Sequence, residues 1–280
     1  MKLFISVDME GIHGTTSWSD LEGPARAAHY QRAWLELSWI IKGIAASPKN
    51  GEIDEICVCD SHARGEGIPF AGFGDPRVTW VRGYPRPYYM LETLDETYAG
   101  LFLVGYHAPI GAERGMMDHS YSASCIYRVR LNGEEAGETE INAALAGWYG
   151  VPVCFVSGDD ILESCLAGKF KPAPVYVRTK EGLGRFAGKL YAPERLESAF
   201  LKGTADALAG LGSYRPIKTA APTRLDIDLV STVVADAVAV IPGVTRTSGR
   251  SVAYESADFR DVYRMVHAVA MLGGKFAAFT

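Results

Sequence analysis

Asp8 and Glu10, two carboxylates two residues apart in the run SVDMEG, are the first side chains here that could do chemistry together. In extended backbone such residues share a face, and like charges side by side are costly unless a cation or a shared proton offsets them. Taken alone, the pair is more simply two solvated carboxylates in a loop, because short motifs of this kind recur by chance. Asp60-Ser61-His62 repeats the spacing. A histidine with an aspartate two residues away reads either as a metal ligand oriented by that carboxylate or as a helix-capping Asp beside an unrelated His. His107, after LFLVGY, is on its own more simply a histidine satisfied by a hydrogen bond.

The combination carries more than its parts. Carboxylate oxygens and imidazole nitrogens suit Zn²⁺, Mn²⁺ or Co²⁺ and poorly suit an all-oxygen Ca²⁺ site. One further carboxylate would supply donors for two ions ~3.5–4 Å apart that share a bridging Asp. Composition does not choose among Glu134, Glu135, Glu138 and Glu140; Glu138 is favoured because it opens a helical pattern just after Gly137. His119 stands in the segment 111–120, which has two glycines and no strong periodicity and is expected to be an exposed or mobile loop. It reads as a general acid, a general base or an ordinary loop residue.

These groups need a frame. Four apolar runs end abruptly in polar chemistry: KLFISV before Asp8, EICVC before Asp60, LFLV before Gly105, and VCFVS before Gly158-Asp159-Asp160. Short runs rich in Val, Ile and Phe predict strands buried on both faces. Residues 25–46 place Ala33, Leu37, Ile40, Ile41 and Ile44 on one helical face, and 138–149 do the same with Ile141, Leu145 and Trp148. Alternating strands and helices imply an α/β fold, a mostly parallel central sheet flanked by helices, with ligands at the carboxyl ends of the strands. After about residue 190 the pattern changes to a helix over 193–211, a turn-rich stretch, a strand over 225–229 and a closing helix over 257–272, with His267 the only histidine. The expected division is a metal-binding α/β domain over 1–190 and a smaller α+β C-terminal unit over 191–280.

Bulk properties narrow the setting. With 28 Lys and Arg against 33 Asp and Glu, the net charge is −5, which excludes the basic footprint of a nucleic-acid binder. No stretch approaches the ~18 apolar residues of a membrane span. The N-terminus lacks the long apolar region of a secretory signal. The five cysteines form no C-x-x-C pair and read as reduced thiols, so a cytoplasmic location is expected.

Five short motifs in order, SVDMEG at 6–11, CDSHA at 59–63, VGYHA at 104–108, MMDHS at 116–120 and GETEINA at 137–143, resemble the bacterial zinc D-aminopeptidases. These are dipeptide-operon-associated, self-compartmentalising peptidases, and SGDD at 157–160 extends the likeness. The resemblance implies two zinc ions per chain, or Mn or Co in their place, bridged by Asp8. Glu10 and His62 would complete one site, His107 and Glu138 the other, and His119 would be the catalytic side chain, with Asp60 orienting His62. It also implies removal of a D-Ala-like or other small N-terminal residue from short peptides, and self-association into a ring-like homo-oligomer, a decamer.

Asp118 before His119, the additional His13 and the region 18–30 depart from the family pattern and leave substrate range open. Two rival readings remain at this point. A metal-dependent amidase or phosphoesterase could use the same ligands, although a phosphoesterase should bring Arg or Lys to the metals, and Arg64, Arg82 and Arg114 are the only candidates nearby in sequence. A non-catalytic peptide-binding assembly protein would not need the whole set.

Overall fold

The apolar runs that end in Asp8, Asp60 and Gly105 become neighbouring strands, so their polar ends are brought side by side. A computed structural model describes residues 1–70 and 73–279. Along the chain, β1 (Lys2–Val7), β2 (Glu55–Asp60), β3 (Val78–Val81) and β4 (Tyr98–Val104) come first. The hairpin of β5 (Ile126–Leu131) and β6 (Glu134–Glu135) follows, then β7 (Val153–Asp159), β8 (Val175–Gly184) and β9 (Ala187–Leu190). The first sheet has the order β3-β2-β1-β4-β7-β8-β9. Its pairs are parallel except β8 with β9. Val7 lies opposite Asp60 on one side and Val104 on the other, which sets three strand ends level.

Both faces of this sheet are covered, as the apolar runs require. Leu3, Ile5 and Val7 point to one side and Phe4 to the other, the alternation of a pleated strand. On the first side lie α2 (Arg26–Ala46), preceded by the short α1 (Trp18–Glu22). Ala33, Leu37, Ile40, Ile41 and Ile44 of α2 are all buried there. Phe102 stacks on Phe155 at 5.1 Å beneath it; truncating such a buried ring costs about 3–5 kcal/mol. On the second side lies α3 (Glu138–Trp148), with Ile141 and Leu145 buried. The brief α4 (Asp160–Cys165) caps β7.

α5 (Pro193–Ala209) packs back beside α2, with Leu196, Phe200, Ala207 and Leu208 in the same core. The remaining elements are β10 (Thr223–Leu229), α6 (Thr232–Val238), β11 (Thr245–Arg246), β12 (Ser251–Ser256) and α7 (Phe259–Phe276). They build a second, antiparallel sheet of order β11-β12-β10-β5-β6. Strands from both sides of residue 190 therefore share this sheet, because β5 takes its ladder partner from β10 rather than from the first sheet. One stripe of α7, including Val262, Tyr263, Val266 and Val269, packs into the core between the two sheets. Among the described residues no helix is long and apolar enough to cross a membrane.

Candidate metal centre

Backbone bonds lock the three level strand ends together. The Asp8 amide donates to the Val104 carbonyl at 2.8 Å, Gly11 to Gly105 at 2.7 Å and Ser61 to Val7 at 2.8 Å. Gly105 has φ +70°, and a Cβ there would lie 2.4 Å from the Asp8 carbonyl oxygen, so only glycine permits this approach. Below, the Ser6 hydroxyl bonds Ser61 and the Tyr106 phenol, each at 2.7 Å. Asn142 of α3 donates to Tyr106 at 2.9 Å and accepts from Tyr263 of α7 at 2.8 Å. This buried network fixes α3, and hence Glu138 in its first turn, against the strand ends.

The six residues singled out by sequence converge. His62 Nδ1 lies 3.2 Å from Asp8 Oδ1 and 3.2 Å from Glu10 Oε2. His107 Nε2 lies 3.6 Å from Asp8 Oδ2 and 3.4 Å from Glu138 Oε1. The two oxygens of Asp8 thus face different histidines. His119 Nε2 lies 3.6 Å from Glu138 Oε1 and 4.0 Å from Glu10 Oε1. Donor atoms of Asp8, Glu10 and His107 fall within 4.8 Å of one another, and so do those of His107, His119 and Glu138.

Asp8, Glu10, His107 and Glu138 are all buried, with at most 4% of each exposed. Three carboxylates so placed repel one another unless positive charge stands among them. In the chain by itself the histidines supply it. Burial and the neighbouring Glu10 raise the Asp8 carboxyl to about 8. Burial alone would lower His107, but Glu138, Glu10 and Asp8 raise it to about 10. His62 is likewise raised well above the usual imidazole range against its burial, by Glu10 and Asp8. The partners Glu10 and Glu138 are lowered in spite of burial, chiefly by His62 and His107 respectively. His119 differs: burial and the adjacent His107 lower it.

The donor set fits a transition-metal cation. His107 Nδ1 donates to the Ala108 carbonyl at 3.0 Å, so Nε2 is the ring atom that faces the carboxylates, and a cation there would take the place of its proton. That Nε2 is buried and makes no hydrogen bond. A buried imidazole nitrogen without a partner, set between two carboxylates, is the arrangement an N/O-coordinated ion completes. Glu138 Oε1 also accepts from the Tyr121 amide at 2.6 Å, and Met9 donates to Asp8 Oδ1 at 2.9 Å.

Two expectations change. Asp60 does not orient His62: its Oδ2 accepts from the Ile68 amide at 3.0 Å. The two-residue rule holds only while the backbone stays extended, and β2 ends at Asp60. The segment 111–120 is irregular and exposed at Gly111, Glu113 and Arg114, but its second half is anchored, with Gly115, Met116, Met117 and Ser120 buried. Met116 donates to Asp159 Oδ2 at 2.8 Å and Met117 to the Arg185 carbonyl at 2.7 Å. Asp118 pairs with Arg185 at 3.0 Å, so it holds the loop in place. The additional histidine, His13, belongs to the packing: it bonds Glu36 at 2.8 Å and stacks on Trp39.

The centre opens into a cleft of about 350 Å³. Trp18, Leu21, Tyr89 and Tyr121 line it beside the polar groups, and Trp18 sets its ring edge-on to His119 at 5.2 Å. Sequence reasoning missed these aromatics, since none stands in a periodic or motif-like context. It also missed Lys180, which is fully buried and bonds the carbonyls of Glu10, Ile12 (3.1 Å) and Thr15 (2.6 Å), while Thr179 bonds that of Gly11 (2.6 Å). β8 thereby fixes the turn that carries Glu10.

Residues 1–268 match the family described as D-aminopeptidase. The chain is 29% identical over 268 residues to a D-aminopeptidase of Bacillus subtilis (strain 168), with 94% of each sequence covered. Among solved structures it is similar to the Zn-dependent D-aminopeptidase DppA from Bacillus subtilis, a self-compartmentalizing protease. The TM-score is 0.91 at 26% identity, over 98% of each chain.

Proposed function

The chain belongs to the D-aminopeptidase family, and from that premise we propose that it is a zinc-dependent aminopeptidase acting at a dinuclear centre. Two zinc ions would be held by five residues, with Asp8 common to both positions, Glu10 and His62 serving one, and His107 and Glu138 the other. The observation that carries this reading is the buried, unpartnered Nε2 of His107 between the carboxylates of Asp8 and Glu138. The divided orientation of the Asp8 oxygens supports the bridge. Zinc held there acidifies water and draws electron density from a peptide carbonyl.

The chain's own groups do the rest. His119 Nδ1–H donates to the Met117 carbonyl at 3.0 Å, a tautomer that leaves Nε2 as the base. Nε2 takes a proton from the attacking water and returns it to the departing amine. Glu22 joins Asp8, Glu10 and Glu138 in lining the cleft, and no Arg or Lys does so among the described residues. Such a cleft attracts a free amino group, which accounts for cutting at the N-terminus, and its lining gives a phosphate ester no guanidinium or ammonium partner. The small volume fits a D-Ala-like or other small N-terminal residue of a short peptide.

The relative's self-compartmentalizing character supports assembly of this chain into a closed homo-oligomer, a decamer. All five cysteines are free, which fits a cytoplasmic setting. The test is metal analysis of the purified protein combined with hydrolysis of short peptides bearing D- or L-alanine at the N-terminus, with a phosphate ester as control. Two zinc per chain and release of the N-terminal residue are expected. Absence of peptide hydrolysis by the zinc-loaded protein rejects the reading.

A further inference from the structure

The aromatic side of the cleft has a second space behind it. Ala63, Tyr89 and Tyr121 line the cleft and equally an adjoining cavity of about 170 Å³, whose far wall includes Tyr84, His267 and Met271. The mechanism above makes no use of this cavity. Resting on the aminopeptidase reading of the cleft, we propose that the cavity receives the side chain that follows the scissile bond and selects an aromatic ring there.

Its size and walls argue for a ring. A space of about 170 Å³ has room for a benzene-sized ring. Tyr84 stands edge-on to both Tyr89 (6.4 Å, 84°) and His267 (5.9 Å, 81°), while His267 stacks on Tyr89 at 4.6 Å. Faces and edges at right angles are the surroundings in which an additional ring finds both favoured aromatic geometries. Aromatic walls can also hold a cation, but the Arg86 guanidinium already lies 5.8 Å over the Tyr89 ring and opposes a second positive charge.

Backbone strain marks the same place. All three residues shared by cleft and cavity have positive φ: Ala63 at 50°, Tyr89 at 35° and Tyr121 at 59°. None is glycine, and such conformations persist where the surroundings impose them, often at ligand clamps. The partition is also tied to the metal centre. The Tyr89 hydroxyl donates to the Ala63 carbonyl at 3.1 Å, and the Tyr121 amide donates to Glu138 at 2.6 Å. The wall between cleft and cavity is thus fixed to Glu138 of the centre.

The experiment compares dipeptides with N-terminal alanine and either phenylalanine or alanine second, each residue in both hands. For the hand that is turned over, kcat/KM is expected to be roughly 10–100-fold higher with phenylalanine, the worth of burying a ring. Met271→Trp, which fills the cavity, and Tyr84→Ala, which removes a wall, should each bring that ratio toward one. Calorimetric titration with N-acetylphenylalaninamide and N-acetylalaninamide, in which the acetyl carbonyl stands in for that of the N-terminal residue and no free amine is present, reads the cavity without turnover, and the aromatic amide should bind more tightly to the wild type alone. Equal kcat/KM with equal amide affinities overturns the assignment and leaves the aminopeptidase reading intact. A preference that survives both variants places the ring elsewhere and also overturns it. If no peptide is cut but the amide difference appears and Met271→Trp removes it, the aminopeptidase reading falls and the cavity keeps its ligand.

Discussion

The imidazole of His119 lies face to face on that of His107, with centroids 4.0 Å apart and planes 9° from parallel. Rings stacked in parallel planes cannot both direct an in-plane lone pair at one ion about 2.0–2.1 Å away. With His107 assigned to metal, His119 is left for proton transfer. His119→Ala is expected to keep its zinc while turnover falls by roughly 10²–10⁴. Metal content and turnover measured on one preparation decide the matter. Loss of zinc along with activity would make His119 a ligand, and a small effect would make it a loop residue.

Asp8→Ala should empty both metal positions, because each of its oxygens faces a different histidine. Elemental analysis of the purified variant checks this. Full occupancy would remove Asp8 from the bridge.

Lys180→Met should weaken zinc binding from a distance. It deprives three buried carbonyls, those of Glu10, Ile12 and Thr15, of their donor. Leaving a buried polar group without its partner costs roughly 1–3 kcal/mol. Competition with a chelator reads the zinc affinity and urea unfolding reads the stability. A destabilised variant with wild-type zinc affinity would confine Lys180 to the fold.

Acid should destabilise the protein partly through His267. Burial, with a smaller contribution from Arg86, lowers this imidazole to about 4. The folded chain then binds fewer protons than the unfolded one between pH 6.5 and about 4, so this contribution to stability is present at neutral pH and lost as pH falls. Between pH 7 and pH 5 the wild type should lose about 2 kcal/mol more than His267→Phe, which keeps a ring against Tyr89. Parallel pH dependences of the two proteins in urea would show that His267 titrates normally.

Light scattering at micromolar concentration should report an assembly many times larger than the 30.3 kDa chain. If the active sites face its interior, hydrolysis should also decline as peptides lengthen. A monomer with length-independent activity would reject the closed oligomer.

The parts of this molecule that were legible in its sequence are those written locally. Apolar runs ending at Asp8, Asp60 and Gly105 announce parallel strands and the end of the sheet where ligands gather. Glu138 was legible as the first residue of a helix after a glycine. Tyr89, Tyr121 and Trp18 were not, because irregular segments and, for Trp18, a helix of only five residues bring them to the cleft, and no periodicity records where such short pieces go. Asp60 misled because the alternation that pairs it with His62 stops at the strand's last residue. Lys180 was hidden for another reason: a lysine in a strand reads as surface charge until three carbonyls are seen around it.

One consequence of the second sheet concerns synthesis. β5 lies in the chain between His119 and Glu138, yet its ladder partner β10 follows roughly 90 residues later. A nascent chain leaving the ribosome at ~5–20 residues per second holds β5 without that partner for roughly 5–20 s. Through that interval the hairpin that joins the His119 loop to α3 lacks its central ladder neighbour, although Asp8, His62 and His107 have long since emerged. A chain cut before β10 should therefore emerge with three level strand ends and with Glu138 held by Tyr121 and by the Asn142–Tyr106 bond alone, without the second sheet behind them.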